Sequence, residues 1–251
     1  MTEPTGAFAR ATGRSAEAPS GRQVNYRRWQ LEQIAPHCGA SVLEVGAGLG
    51  EFAAQLRGRE RLVLTDVDPL AVEAMVRRFA DRPEVEVRQL DVDGDLVLEE
   101  PVDTVIAINV LEHIPDDVGA LRRLAGFARP GGRVVLWVPG HMALYGDFDR
   151  KVGHVRRYSP ALLRQTATYA GLQVEVCRPV NLLGALAWWA AVRVGGTGSP
   201  KPVLVELYDR VVVPLTRAIE RVVRPPFGQS VLCVARVPAA LAHSGSRKGA
   251  P

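Results

Sequence analysis

The chain has 251 residues, 47% hydrophobic and 23% charged, with a formal net charge of +4. That composition excludes whole-chain disorder and allows one large domain whose core can bury a pocket. The basic residues are nearly all Arg and are dispersed, with dense pairs only at Arg27-Arg28, Arg77-Arg78, Arg122-Arg123 and Arg156-Arg157. This excludes the stripe or cluster of a nucleic-acid footprint.

Met1 to Gly21 is small and polar with no apolar segment, so a disordered leader is expected rather than a signal peptide. A helix over Asn25–Ala35 turns Trp29, Leu31 and Ile34 to one face. A strand at Ser41–Val45 runs into Gly46-Ala47-Gly48-Leu49-Gly50, and a helical stretch at Glu51–Arg57 follows. Next come a strand at Arg61–Thr65, a helix at Leu70–Phe79, and strands at Val85–Leu90 and Val102–Ile108. A helix over Asp117–Ala128 is stopped by Pro130-Gly131-Gly132, before a strand at Arg133–Val138. Strands alternating with helices imply βαβ units and a parallel sheet.

The rest of the chain is less regular. Ser159 and Pro160 open a helix reaching Tyr169, and Leu172–Arg178 and Ser230–Val237 read as strands. Between them lies an insertion, 180–228, with an apolar helix bearing Trp188 and Trp189, a Gly-rich linker, and a helix near Val203–Val223 that Pro214 kinks or breaks. Its longest apolar run, Leu182–Val192, ends at Arg193, short of the roughly 20 residues that span a bilayer. Residues 22–237 are thus read as one domain, and 238–251 as a disordered tail. Cys38, Cys177 and Cys233, an odd count without metal spacing, suit a reducing cytoplasm.

The glycine run between strand and helix lets backbone turn tightly and approach a ligand. Nicotinamide, flavin and S-adenosylmethionine sites all use such a turn, so the flanking acids discriminate. Glu44 stands inside the strand where a dinucleotide fold prefers an aliphatic residue. Asp66, about 20 residues past the first glycine, ends the second strand, where it can accept from ribose hydroxyls. Asp91 follows the third strand, where it can accept from an adenine amino group.

In these motifs, with Asn109-Val110-Leu111-Glu112-His113-Ile114 and the Pro-Gly-Gly turn, the chain resembles class I S-adenosylmethionine-dependent methyltransferases. The resemblance implies a Rossmann-like α/β sheet of seven strands, mostly parallel, with an antiparallel last strand. It implies that Gly46 and Gly48 pass beneath the methionine moiety, that Ala47, Gly50 and Val67 also border the cosubstrate, and that Glu44 supports its ammonium. Asp66 would hold the ribose, Asp91 and the Val92 backbone would read the adenine, and Asn109 would border the methionine end. In similar O-methyltransferases a Glu-x-x-Glu-His step binds a divalent metal. Here Asn109 replaces the first carboxylate, so no metal is expected. Asp68 reads as the cap of the helix begun by Pro69.

Ligands of open α/β sheets bind beyond the carboxyl ends of the strands. Gly140-His141, Tyr145-Gly146-Asp147-Phe148-Asp149 and Gly153-His154-Val155-Arg156-Arg157-Tyr158 leave that edge and form the acceptor-side candidates. Their pattern resembles a bacterial methyltransferase subfamily associated with glycosyltransferases. Tyr145, Asp149, Arg157 and Tyr158 are read as acceptor contacts, with an Asp149–Arg157 pair that holds the loop shut as the alternative. His154, then His113, is the candidate base. The expected reaction is methyl transfer to an oxygen or nitrogen of a small or lipid- or glycan-linked metabolite, with no nucleic-acid partner, no membrane span, and peripheral membrane contact left open through the Trp-bearing insertion. The rivals are a non-methylating S-adenosylmethionine enzyme, a non-catalytic binding partner, and an NAD-dependent oxidoreductase, against which Glu44 and Asp91 argue.

Overall fold

The computed structural model describes residues 23–92, 98–195 and 202–239. The expected leader, the linker residues 196–201 and most of the expected tail lie outside the described residues. Seven strands form one sheet: β1 Ser41–Val45, β2 Arg61–Asp66, β3 Val85–Gln89, β4 Val102–Ile108, β5 Ala128–Pro139, β6 Gln173–Val180 and β7 Ser230–Arg236. Their order is β3-β2-β1-β4-β5-β7-β6. β1 to β5 pair in parallel, and β7 runs antiparallel between β5 and β6. The order reverses between β1 and β4, the switch point where such sheets open a crevice.

Period-two alternation divides the core between the two sheet faces. Leu43, Val105 and Leu136 pack on one face with Leu121 and Leu124 of α3 (Asp117–Phe127) and Leu163 of α5 (Pro160–Tyr169). Val42, Leu62, Ile106 and Val135 pack on the other with Trp29 of α1 (Val24–Ile34) and Met75 of α2 (Pro69–Arg78). The helix starts follow their caps. Asp68 accepts from the Leu70 amide at 2.9 Å, Asp116 from Gly119 at 2.9 Å, and Ser159 from Leu162 at 3.1 Å, with Pro in the first turn of α2 and α5.

Three expectations need correction. Residues 51–55 form turns rather than a regular helix; Phe52, Ala53 and Leu56 are buried against the β1–β2 face with only isolated helical bonds, from the Ala54 amide to the Gly50 carbonyl and from Leu56 to Phe52. Pro130-Gly131-Gly132 lies inside β5, which starts at Ala128 opposite Val102, because Gly131 takes φ +77° and keeps the strand in register with β4 beyond a bulge. A short helix, α4 (Asp147–Val152), occupies the acceptor-side loop that carried no apolar period.

The insertion comprises α6 (Leu182–Gly195), α7 (Pro202–Leu207), a π turn at Tyr208–Val212 and α8 (Val213–Glu220). Regular α-helix is interrupted by the π turn just before Pro214, which stands in the first turn of α8 where no intrahelical bond needs its amide. Asp209 in the π turn accepts from the amides of Asn25 at 3.0 Å and Tyr26 at 2.8 Å, while its carbonyl accepts from Asn25 Nδ2. It therefore caps α1 from 184 residues away, where Gln23 supplies no side-chain bond. Asp209→Ala is expected to cost about 1–2 kcal/mol of stability in urea unfolding, as a lost cap does.

Candidate functional site

The glycine loop leaves β1 at the switch point. Gly46 has φ +68°, and a β-carbon there would stand 2.6 Å from Val110 Cγ2, so the loop is seated against the turn after β4. Gly48 has φ +57°, yet a β-carbon on it would meet nothing within 4 Å. Only backbone strain requires glycine there in the protein itself, and the space beside it is open. Gly50 packs under Phe79, and the Ala47 amide bonds the Thr65 carbonyl at 2.9 Å.

Asp66 accepts from the Gly48 amide at 2.8 Å and the Asp68 amide at 3.0 Å, so one carboxylate ties the loop to the end of β2. Burial raises its pKa, and those backbone amides pull against the rise. Glu44 is buried on β1 with Oε2 lacking a hydrogen-bond partner. Burial, then the charge of Asp66, pushes its pKa up to about 8. A cationic ammonium would satisfy that oxygen and reverse the cost of its charge, so these residues fit the methionine end of S-adenosylmethionine. Asp91 is exposed and Val92 buried just past β3, and the Val67 carbonyl accepts from Gln89.

The β-strand ends next to this loop turn sharply. Asn109 after β4, His141 after β5 and Asn181 after β6 all take positive φ, at 54°, 57° and 67°. These three strands run in the same direction, so the turns share one edge of the sheet. The Asn109 amide bonds the Trp137 carbonyl at 2.8 Å, and the chain then enters a 3₁₀ turn at Leu111–His113.

That turn carries Glu112 into a buried polar group that the sequence reading did not assemble. Asp149 is 0% exposed and Arg157 3% exposed. They form a two-armed pair, Nε to Oδ1 at 2.8 Å and Nη2 to Oδ2 at 3.0 Å, the loop-closing alternative named above. Asp149 also accepts from the Gly146 amide, and its Oδ1 lies 2.7 Å from His154 Nδ1. Burial alone would raise the Asp149 pKa, but the bonds from His154 and Arg157 outweigh it and hold the carboxyl below its ordinary value. An ionised carboxylate only accepts, so His154 Nδ1 carries the proton and Nε2 keeps its lone pair in the neutral ring.

His154 Nε2 faces Glu112 Oε1 at 3.7 Å, beyond hydrogen-bond reach. Glu112 is fully buried, neither of its oxygens has a hydrogen-bond partner, and burial pushes its pKa up to about 8. The His113 ring meets His154 at 4.7 Å between centroids, and burial, then its fellow histidine, lowers the His113 pKa to about 4. Donor atoms of Glu112, His113 and His154 lie within 4.8 Å of one another, a gathering of possible metal ligands that the spacing of Asn109, Glu112 and His113 could not reveal.

The other predicted acceptor residues divide. Tyr145 donates to the His154 carbonyl at 2.8 Å and joins this group. Tyr158 turns away, fully buried, and donates to Asp117 at 2.9 Å, which holds the neighbouring strand end against α3. Trp188 of α6 covers the pair, with the Arg157 guanidinium 5.3 Å from its ring centroid and its Nε1 bonded to the Leu144 carbonyl at 3.0 Å. A groove of about 480 Å³ lies alongside, lined among others by Asp117, Met142, Arg156, Arg157 and Thr166.

Residues 43–134 match the family described as methyltransferase domain. Over that stretch, which is less than half of the chain, the sequence is similar to methyltransferase domains. The match runs from within β1 into β5 and takes in the glycine loop, Asp66 and Glu112. A ubiquinone biosynthesis O-methyltransferase of Paracidovorax citrulli is 32% identical over 41% of this chain and 45% of its own length. The chain thus spans less than half the length of the first curated relatives it matches. A probable S-adenosylmethionine-dependent methyltransferase of Mycolicibacterium smegmatis is 27% identical over 70% of this chain and 71% of its own. The domain also shares its fold with the N-methyltransferase NodS of Bradyrhizobium japonicum, solved with S-adenosyl-L-homocysteine. That likeness has a TM-score of 0.57 at 15% identity and covers 92% of this chain and 98% of the other.

Proposed function

We propose that the chain moves the methyl group of S-adenosylmethionine to an oxygen or nitrogen of a small or lipid- or glycan-linked metabolite. The observation that carries this reading is the adjacency, through Val110, of the open glycine loop and the buried Glu112–His154–Asp149 group. When bound, S-adenosylmethionine supplies a methyl carbon already made electrophilic by its sulfonium. The protein has then to align the nucleophile and remove its proton, and alignment alone is worth several kcal/mol. In this reading Glu44 and Asp66 hold the two ends of the cosubstrate, and Asp91 and Val92 border its adenine. Asp149, fixed by Arg157, orients His154 so that Nε2 takes the proton of the acceptor. Below about pH 8 Glu112 is a neutral acid and can donate a hydrogen bond to the same acceptor. Tyr145 steadies the His154 backbone, and the groove beside Arg157 gives room for a substrate larger than the reacting group.

The test is turnover to S-adenosylhomocysteine across a panel of hydroxylated, amino and prenyl-linked acceptors. His154→Ala is expected to lower kcat by about 10²–10⁴, while calorimetry finds S-adenosylhomocysteine bound as in the parent. His113→Ala is expected to act far less, because its lowered pKa makes it a poor base. Dialysis against a chelator leaves turnover unchanged on this reading. Activity lost there and restored by a divalent cation would turn Glu112, His113 and His154 from a base group into ligands.

A further inference from the structure

The insertion has a second surface that the methyl-transfer reading does not use. Seventeen large apolar side chains are exposed among the described residues, and ten of them lie in 180–228, about a fifth of the chain. Along α7, the π turn, α8 and the turn beyond, Leu204, Leu207, Val211, Leu215 and Val222 are each at least half exposed. Leu204, Leu207, Val211 and Leu215 follow one another at steps of three or four residues, and Val222 lies seven beyond in the turn after α8, so the segment presents an exposed apolar stripe. On α6, Trp189 is 51% exposed in a helix with no charge between Leu182 and Val192. Exposed apolar side chains gathered in this way, rather than scattered singly, mark an interaction site.

The charges around it are one-sided. Residues 180–228 hold six basic and three acidic residues. Two of the acids are turned inward, Asp209 as the cap of α1 and Glu220 as acceptor of the Leu182 amide. Glu206 is paired with Arg210 and Arg217 with Glu32 of α1, whereas Arg221 and Arg224 are exposed at the end of the stripe. No helix of the described residues is long and apolar enough to cross a membrane. Apolar side chains on one face, flanked by exposed Arg and lacking unpaired surface acid, match a helix that lies in the headgroup region of an anionic bilayer.

We propose that this face of the insertion docks on an anionic lipid surface. The same insertion packs Trp188 over Arg157, so docking would hold the wall of the acceptor site at the membrane, where a lipid-linked acceptor resides. The inference rests on the insertion's own surface and stands or falls apart from the methyl-transfer reading.

The experiment is co-sedimentation of the full chain with phosphatidylcholine vesicles, with and without 30–40% phosphatidylglycerol (about the charge of an anionic leaflet), in low and in 0.5 M salt (about a fourfold cut in screening length). The parent is expected to pellet with the anionic vesicles at least fivefold more than with the neutral ones, and to lose most of that binding in high salt. Leu207→Glu with Val211→Glu is expected to lower binding at least tenfold. Val76→Glu, an equally exposed apolar position on α2, is expected to leave it unchanged. S-adenosylhomocysteine affinity serves as the folding control and is expected to be equal in all three proteins. A parent that stays in solution with anionic vesicles overturns the proposal, as does binding that survives Leu207→Glu with Val211→Glu. Light scattering that finds a dimer, made monomeric by those two changes, gives the face to a second copy and overturns it equally.

Discussion

Asp149→Asn is expected to lose about 3–5 kcal/mol of folding stability in urea unfolding at pH 7, the range found when one partner of a buried pair is removed. Arg157 then keeps its charge in a site 3% exposed, with a neutral amide in place of the carboxylate that took both its arms. The Gly140 carbonyl, 3.4 Å from Nη1, is too weak a partner to replace it. Asp149→Leu combined with Arg157→Met removes both charges and is expected to recover much of the loss. The pH dependence has a definite sign. Asp149 has a folded pKa below its ordinary value, so its contribution is fully present above the unfolded value near 4 and disappears as pH falls through the folded one. The parent should therefore lose stability on an acid limb that is shallower in the double variant. If Asp149→Asn unfolds within 1 kcal/mol of the parent, Arg157 is not held in a dry site and the orientation of His154 by Asp149 goes with it.

The sheet was legible because its signals are local. Short apolar, β-rich runs mark β1, β2 and β4, alternation marks β3, and caps such as Asp68 and Ser159 announce their helices within three residues. The boundaries that moved depend on partners far along the chain. Nothing within Glu51–Arg57 says that Phe52 and Leu56 reach the core from turns, and only pairing of Ala128 with Val102 makes the Pro-Gly-Gly turn part of a strand. The acceptor side was half legible. His154, Asp149 and Arg157 were singled out by residue type, but that Glu112 faces His154 follows from the loop after β5 folding back onto the turn after β4, where the Val155 amide bonds the Glu112 carbonyl at 2.9 Å. Glu112 had only a place in a motif to recommend it, and an unpartnered buried carboxyl leaves no trace in a sequence. The same holds for Asp209, whose role depends on a helix start 184 residues away.

The cosubstrate half bears the largest effect on binding. Asp66→Ala is expected to weaken S-adenosylhomocysteine by about 10²–10⁴, since hydrogen bonds to a charged group are worth about 1.5–3 kcal/mol each and a ribose offers two hydroxyls. Part of any loss arises from the loop itself, because Asp66 also accepts from Gly48 and Asp68. Asp66→Asn separates the two contributions. Its amide oxygen can keep one backbone bond while the charge is gone, so it should fall between the parent and Asp66→Ala in affinity and near the parent in stability. Gly48→Val reaches the same site by another route. At φ +57° a β-branched residue is strained by roughly 1–2 kcal/mol, and its side chain fills the space that no protein atom occupies. Calorimetry should then find binding weakened by at least about 100-fold (near 2.7 kcal/mol), more than strain alone would give. Gly58→Val, at φ +70° with equally open surroundings, is the control, expected to carry the strain and leave the affinity intact. If Gly48→Val and Gly58→Val bind S-adenosylhomocysteine equally well, the open side of the loop is not where the cosubstrate lies.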